Sequence, residues 1–138
     1  MIAVQKASII FGGIERECIV LLDPKIFHLA FMSKSKFEEF FGRSWETGAA
    51  TKVLLGIKHE ANIDSYAVVD IRIKDKILKN VYVWLVDKDV NSILPPQYQE
   101  SLRRPIDLVL GSTILENFGI KLSKTKIQIS DNPIALYT

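Results

Sequence analysis

Short runs of apolar and β-branched residues, broken every few positions by glycine, proline or charge, predict a chain built mostly of β-strands. Residues 2–11 form a first run, and residues 14–22 (IERECIVLL) form a second, so the Gly12-Gly13 pair between them predicts a hairpin turn. After Asp23 and Pro24, the segment IFHLAFM predicts a third extended piece. Ser35 stands three residues before Glu38, a capping-box spacing that predicts a short helix ending at Gly42, with Phe37, Phe40 and Phe41 as its packing face. Residues 49–64 read as two extended arms around a polar middle. The clearest hairpin joins SYAVVDIRIK to KILKNVYVWLV through Asp75. Strand alternation puts Tyr66, Val68, Asp70 and Arg72 on one face and Val69, Ile71 and Ile73 on the other. Residues 91–106 predict a proline-rich loop with one helical turn. DLVLGSTILENFGIKL (107–122) then reads as strand, glycine, short helix capped by Thr113 and Glu116, Gly119, strand. KIQIS predicts a closing strand. The sum is a mostly β chain with two short helices.

Composition narrows the class without changing that picture. One domain over residues 1–138 is expected from the length, and 48% hydrophobic with 25% charged residues suits a soluble globular protein. No apolar run reaches the roughly 18–20 residues of a membrane span, and MIAVQKASII lacks the layout of a signal peptide, so no membrane partner is expected. Cys18 is the single cysteine, which excludes an intrachain disulfide and points to a reducing, cytoplasmic setting. The net charge is +2, and lysines alternate with acids in KDKILK and KSKFEEF, which reads as solvated faces and argues against nucleic-acid binding. Few Asn, Gln, Cys and Met beside many Ile, Lys and Glu lean towards a thermophilic source.

Candidate chemistry rests on two acids. Asp23 ends an apolar strand in LLDPK, whereas Glu46, in WETGAA, follows the end of a helix and a turn; Gly48 is expected to serve that turn, and ETGA to be a chance lookalike of an acid-Thr-Gly motif. The two histidines, His28 and His59, lie outside any metal-ligand spacing, so no metal and no cofactor are expected. Cys18 reads as a buried apolar residue, Ser112 does not sit in a G-x-S-x-G elbow, and Gly12-Gly13 lacks the lysine of a phosphate loop. Asp107 reads as a strand-end anchor, and Asp64 and Asp70 as solvent-facing acids.

Two blocks, FGGIERECIVLLDPKIFHLAFMSKSKFEEFFG and VLGSTILENFGIKL, together resemble the retropepsins, the dimeric aspartic proteases of retroviral type. The resemblance implies a closed, retropepsin-like β-barrel in a symmetric homodimer, acting on a peptide or unfolded polypeptide. It places Asp23 as the catalytic residue, near the twofold axis, because each subunit supplies one acid of a dyad that shares a proton. The family's Thr/Ser-Gly after that acid is replaced here. Pro24 has no hydroxyl and no N–H, and Lys25 puts a long cation where glycine is usual and favours charged carboxylates over one shared proton. An Arg and an Asp that support the loop in retroviral members are replaced by Ser112 and Phe27. The flap corresponds to LGIKHEANIDS, with Gly56 at one end and Lys58, His59 and Glu60 towards its tip. Pro24, Lys25, Lys58, His59 and Glu60 are therefore the expected substrate-binding residues. Three readings follow: a weak or inactive peptidase that binds peptides, an active homodimeric endopeptidase using the Asp23 pair, and a small β-barrel unrelated to proteases.

Overall fold

A computed structural model describes residues 1–124 and 126–129. In chain order the strands are β1 (Ala3–Phe11), β2 (Ile14–Leu22), β3 (Ala30–Ser33), β4 (Glu46–Gly56), β5 (His59–Ile73), β6 (Lys76–Val86), β7 (Leu108–Leu110), β8 (Ile120–Leu122) and β9 (Ile127–Ile129). The helices are α1 (Lys34–Phe41), α2 (Val90–Ile93), α3 (Pro96–Ser101) and α4 (Ser112–Asn117). One sheet runs β1-β2-β7-β3-β6-β5-β4, and β1 also pairs with β5, so all of its strands except β4 close into a barrel. Among the described residues β4 pairs on one side only, with β5, and β8 and β9 form a separate pair.

Gly12 and Gly13 both have positive φ and join β1 to β2 as the glycine pair predicts. β5 is one long strand serving two hairpins, with β4 through the tip Ile57-Lys58 and with β6 through Lys74-Asp75. Its Val69, Ile71 and Ile73 are buried and Arg72 faces out, in the expected alternation.

Several local expectations are corrected. The third extended piece shrinks to β3, because residues 26–29 spend their main-chain groups on other segments. α1 is capped by Ser33, whose hydroxyl accepts the Lys36 N–H at 3.0 Å, since the chain is still extended there (ψ 142°) and Ser35 already lies inside the helix. Gly42 does end α1 with φ 75°. α4 starts from Gly111 without a side-chain cap; Thr113 is inside it, and its N–H donates to the His28 carbonyl. Gly48 lies within β4 rather than in a turn. The proline-rich loop holds two short helices, α2 capped by Asp89 and α3 begun by Pro95-Pro96, so the described residues contain four helices, not two. β9 covers the middle of KIQIS, whose Ser130 lies outside the described residues.

β7, β3 and the last three residues of β2 are buried on both faces, and their alternation feeds two cores. Val20, Leu22, Ala30, Met32, Leu108 and Leu110 point into the barrel. Leu21, Phe31 and Val109 point the other way, into a second cluster with Phe27, Leu55, Ile63, Val90, Leu94 and Tyr98. Each large side chain so enclosed contributes about 1.5–3 kcal/mol relative to exposure. The same period carries Asp23, two residues after Leu21, towards the second cluster.

Candidate active site

β2 delivers Asp23. Its N–H donates to the Leu110 carbonyl at 3.0 Å, continuing the parallel β2–β7 pairing beyond the last paired residues, Leu22 and Leu110. The chain then turns on Asp-Pro, a turn-initiating pair: proline presets φ and has no N–H, so the acid's side chain caps the amides that follow. Asp23 Oδ1 accepts the N–H of Lys25 at 2.8 Å and of Ile26 at 3.2 Å, and Oδ2 accepts that of Phe27 at 3.3 Å. The residue is 0% exposed. Tyr98, a buried residue of α3, lies near it. Burial, then the charge of Asp23 and a hydrogen bond to it, hold that phenol well above its ordinary pKa. An ionised carboxylate offers about four acceptor positions. The three amides take up three of them.

Two glycines let other segments grip the same loop. A Cβ on Gly56 would meet the Ile26 carbonyl oxygen at 2.2 Å, and one on Gly111 would meet the His28 carbonyl carbon at 2.4 Å. Through the first contact Ile57 N–H donates to Ile26 O (2.9 Å) and His28 N–H to Leu55 O (2.8 Å). Through the second, Gly111, Ser112 and Thr113 donate to the carbonyls of Leu29, Phe27 and His28 at 3.1, 2.9 and 3.0 Å. The main-chain groups of residues 26–29 are thereby committed within the chain.

Ser112 and Phe27, the positions expected to lack a supporting ion pair, do meet, through that main-chain bond. Beside it the Ser112 hydroxyl lies 3.2 Å from His28 Nδ1. Asp107 anchors as its sequence suggests: Oδ2 accepts the Ile19 N–H at 2.8 Å while its own N–H donates to Ile19 O at 2.9 Å.

The expected substrate-binding residues fall into two groups. Pro24 and Lys25 are exposed on the loop. Lys25 hydrogen-bonds Asp23 with its main-chain N–H, while its ammonium lies close enough to the Met1 amino group to lower that group's pKa. Lys58, His59 and Glu60 instead line a cavity of about 700 Å³ together with Asn62, Lys88 and Ile93. The His59 ring, 5.0 Å from that of Phe27, connects this cavity to the loop. Glu46 opens β4 and is exposed.

Sequence reasoning did not find Tyr98, because nothing in a proline-rich loop marks which residue folds back onto a distant strand. The capping role of Asp23 did have a signal, the Asp-Pro pair itself. No group of three His, Cys, Asp or Glu suited to a metal occurs among the described residues, and no helix there is long and apolar enough to cross a membrane.

No family model matches the sequence, and no curated protein does. Among solved structures, the retroviral protease-like domain of Ddi1 from Leishmania major superposes with a TM-score of 0.56 at 11% identity, over 95% of this chain and 91% of that one. A likeness at that identity speaks to architecture alone, and it agrees with the mostly β, closed-barrel fold. The chain has a retropepsin-like fold.

Proposed function

We propose that this chain is a retropepsin-like domain in which Asp23 serves as a loop cap, leaving a weak or inactive peptidase that acts by binding peptides. The observation that carries the reading is the capping of the Asp23 carboxylate by three main-chain amides at 0% exposure. A general base must come within hydrogen-bond reach of the proton it takes, directly or through one water, and a carboxylate with no exposure that already caps three amides is placed for neither. The replacement of Thr/Ser-Gly by Pro24-Lys25 supports the same conclusion.

Binding is assigned to the cavity bearing Lys58, His59 and Glu60, whose volume of about 700 Å³ lies within the usual range for ligand sites. Because residues 26–29 already use their main-chain groups, a peptide would be held by side chains along this cavity. The competing reading, a homodimeric endopeptidase with paired Asp23 residues, requires the buried, amide-capped acid to become accessible. Fluorescence anisotropy with a library of extended peptides tests the binding role. Saturable binding weakened at least tenfold by Lys58→Ala and His59→Ala is expected; binding that ignores both changes would refute the assignment.

A further inference from the structure

Among the described residues, β4 is the one strand of the large sheet paired on a single side, and its chemistry along the other side is self-complementary. Residues Glu46 to Lys52 are all exposed. Between the pairs Thr47–Ser65 and Thr51–Ile63, β4 runs four residues while β5 runs two, so Gly48, Ala49 and Ala50 have no register partner on β5. An unpaired strand edge is a template for another strand, and residues 47–51 carry neither the proline nor the charge that commonly blunts one.

We propose that this edge pairs with the same edge of a second copy, antiparallel, about a twofold axis at Ala49. In that register Ala49 faces its own symmetry mate, Thr47 faces Thr51, Glu46 faces Lys52, and Trp45 faces Val53. Every residue from 45 to 53 then meets a suitable partner, and the twofold makes each contact twice. Shifting the strands by one residue in either direction separates Glu46 from Lys52, so charge selects this register. Both charges have capacity for the contact. Glu46 has no ion pair among the described residues, and Lys52 meets Glu60 only loosely, at 3.8 Å with both side chains more than half exposed. Trp45 and Val53 are half-buried and extend the contact at each end with apolar surface. The surface lies at the far end of β4 from the residues that bond to the Asp23 loop, so the inference stands independently of the peptide-binding reading.

The test combines sedimentation velocity of the full chain with disulfide trapping. Cys18 is buried, so an introduced thiol is the sole accessible one among the described residues. Wild type is expected to dimerise reversibly. Ala49→Cys should form a covalent dimer under mild oxidation at least tenfold faster than Ile77→Cys, an exposed control on β6. Lys52→Glu should weaken the dimer at least tenfold, and adding Glu46→Lys should restore it. A monomer at all concentrations, equal trapping at positions 49 and 77, or a dimer indifferent to Lys52→Glu would each overturn the proposal.

Discussion

The carboxylate of Asp23 accepts the main-chain N–H of Lys25 at 2.8 Å, so the residue standing where the family has glycine meets the acid with its backbone and not with its charge. Two further amides share the carboxylate, and the residue is 0% exposed. Removing this acceptor leaves donors stranded, at about 1–3 kcal/mol for each buried group. Asp23→Ala is therefore expected to cost about 3–5 kcal/mol in urea unfolding. Asp23→Asn, which keeps one acceptor oxygen, should cost about 1–3 kcal/mol. A change of less than about 0.5 kcal/mol in both variants would mean that Asp23 does not hold the loop.

Close approach at two glycines gives a second prediction. Gly56→Ala and Gly111→Ala would drive a Cβ into main-chain atoms of residues 26–28. Overpacking against backbone typically costs about 1–3 kcal/mol, and both variants are expected in the upper half of that range. Gly48, in β4, has no atom within 4 Å of a built Cβ and no positive φ, so Gly48→Ala should be neutral or stabilising by up to about 1 kcal/mol. Thermal melts of the three variants give the comparison.

Acid should unfold the protein partly through Asp70 and Asp89. The carboxyl of Asp70 is held below its usual value first by the Asn80 N–H at 2.9 Å and then by Lys79; that of Asp89 is lowered first by the Asn91 N–H at 2.9 Å. Each native pKa lies below the unfolded value of about 3.9, so unfolding takes up protons between the two. Their contribution is complete above the unfolded value and disappears as the pH falls through the native one. Urea midpoints from pH 5.5 to 2.5 should show the gap between wild type and Asp70→Asn/Asp89→Asn closing below about pH 4. A gap that stays constant would contradict this.

Cys18 is buried in the barrel, and its thiol is pushed up to about 12, by burial first and then by Asp107 and Glu17. Since the thiolate is the reactive form, iodoacetamide at pH 8 should leave the folded protein unmodified and label it promptly in denaturant. Rapid labelling of the native chain would contradict the packing.

Much of the barrel was legible because period-2 alternation and glycine turns are local: the Gly12-Gly13 hairpin and the inward row Val69, Ile71, Ile73 needed no tertiary knowledge. Helix caps were less legible. Ser33 and Ser35 are equally good capping residues, and only the end of β3 decides between them. The position of Asp23 at a strand end could be read from LLD, but its neighbour Tyr98 could not, since a long-range contact leaves no periodicity in α3. Grouping Pro24 and Lys25 with Lys58, His59 and Glu60 followed the order of a family pattern. The fold separates them because residues 26–29 bond to the hairpin and to α4, leaving the tip to line its own cavity.

The central claim is that Asp23 holds the loop and does not cut peptides, and cleavage of a peptide library by wild type and Asp23→Asn, with and without pepstatin, tests it most directly. The account predicts no pepstatin-sensitive cleavage by the wild-type protein at any pH from 3.5 to 7. Pepstatin-sensitive cleavage by wild type that disappears in a folded Asp23→Asn variant would contradict it.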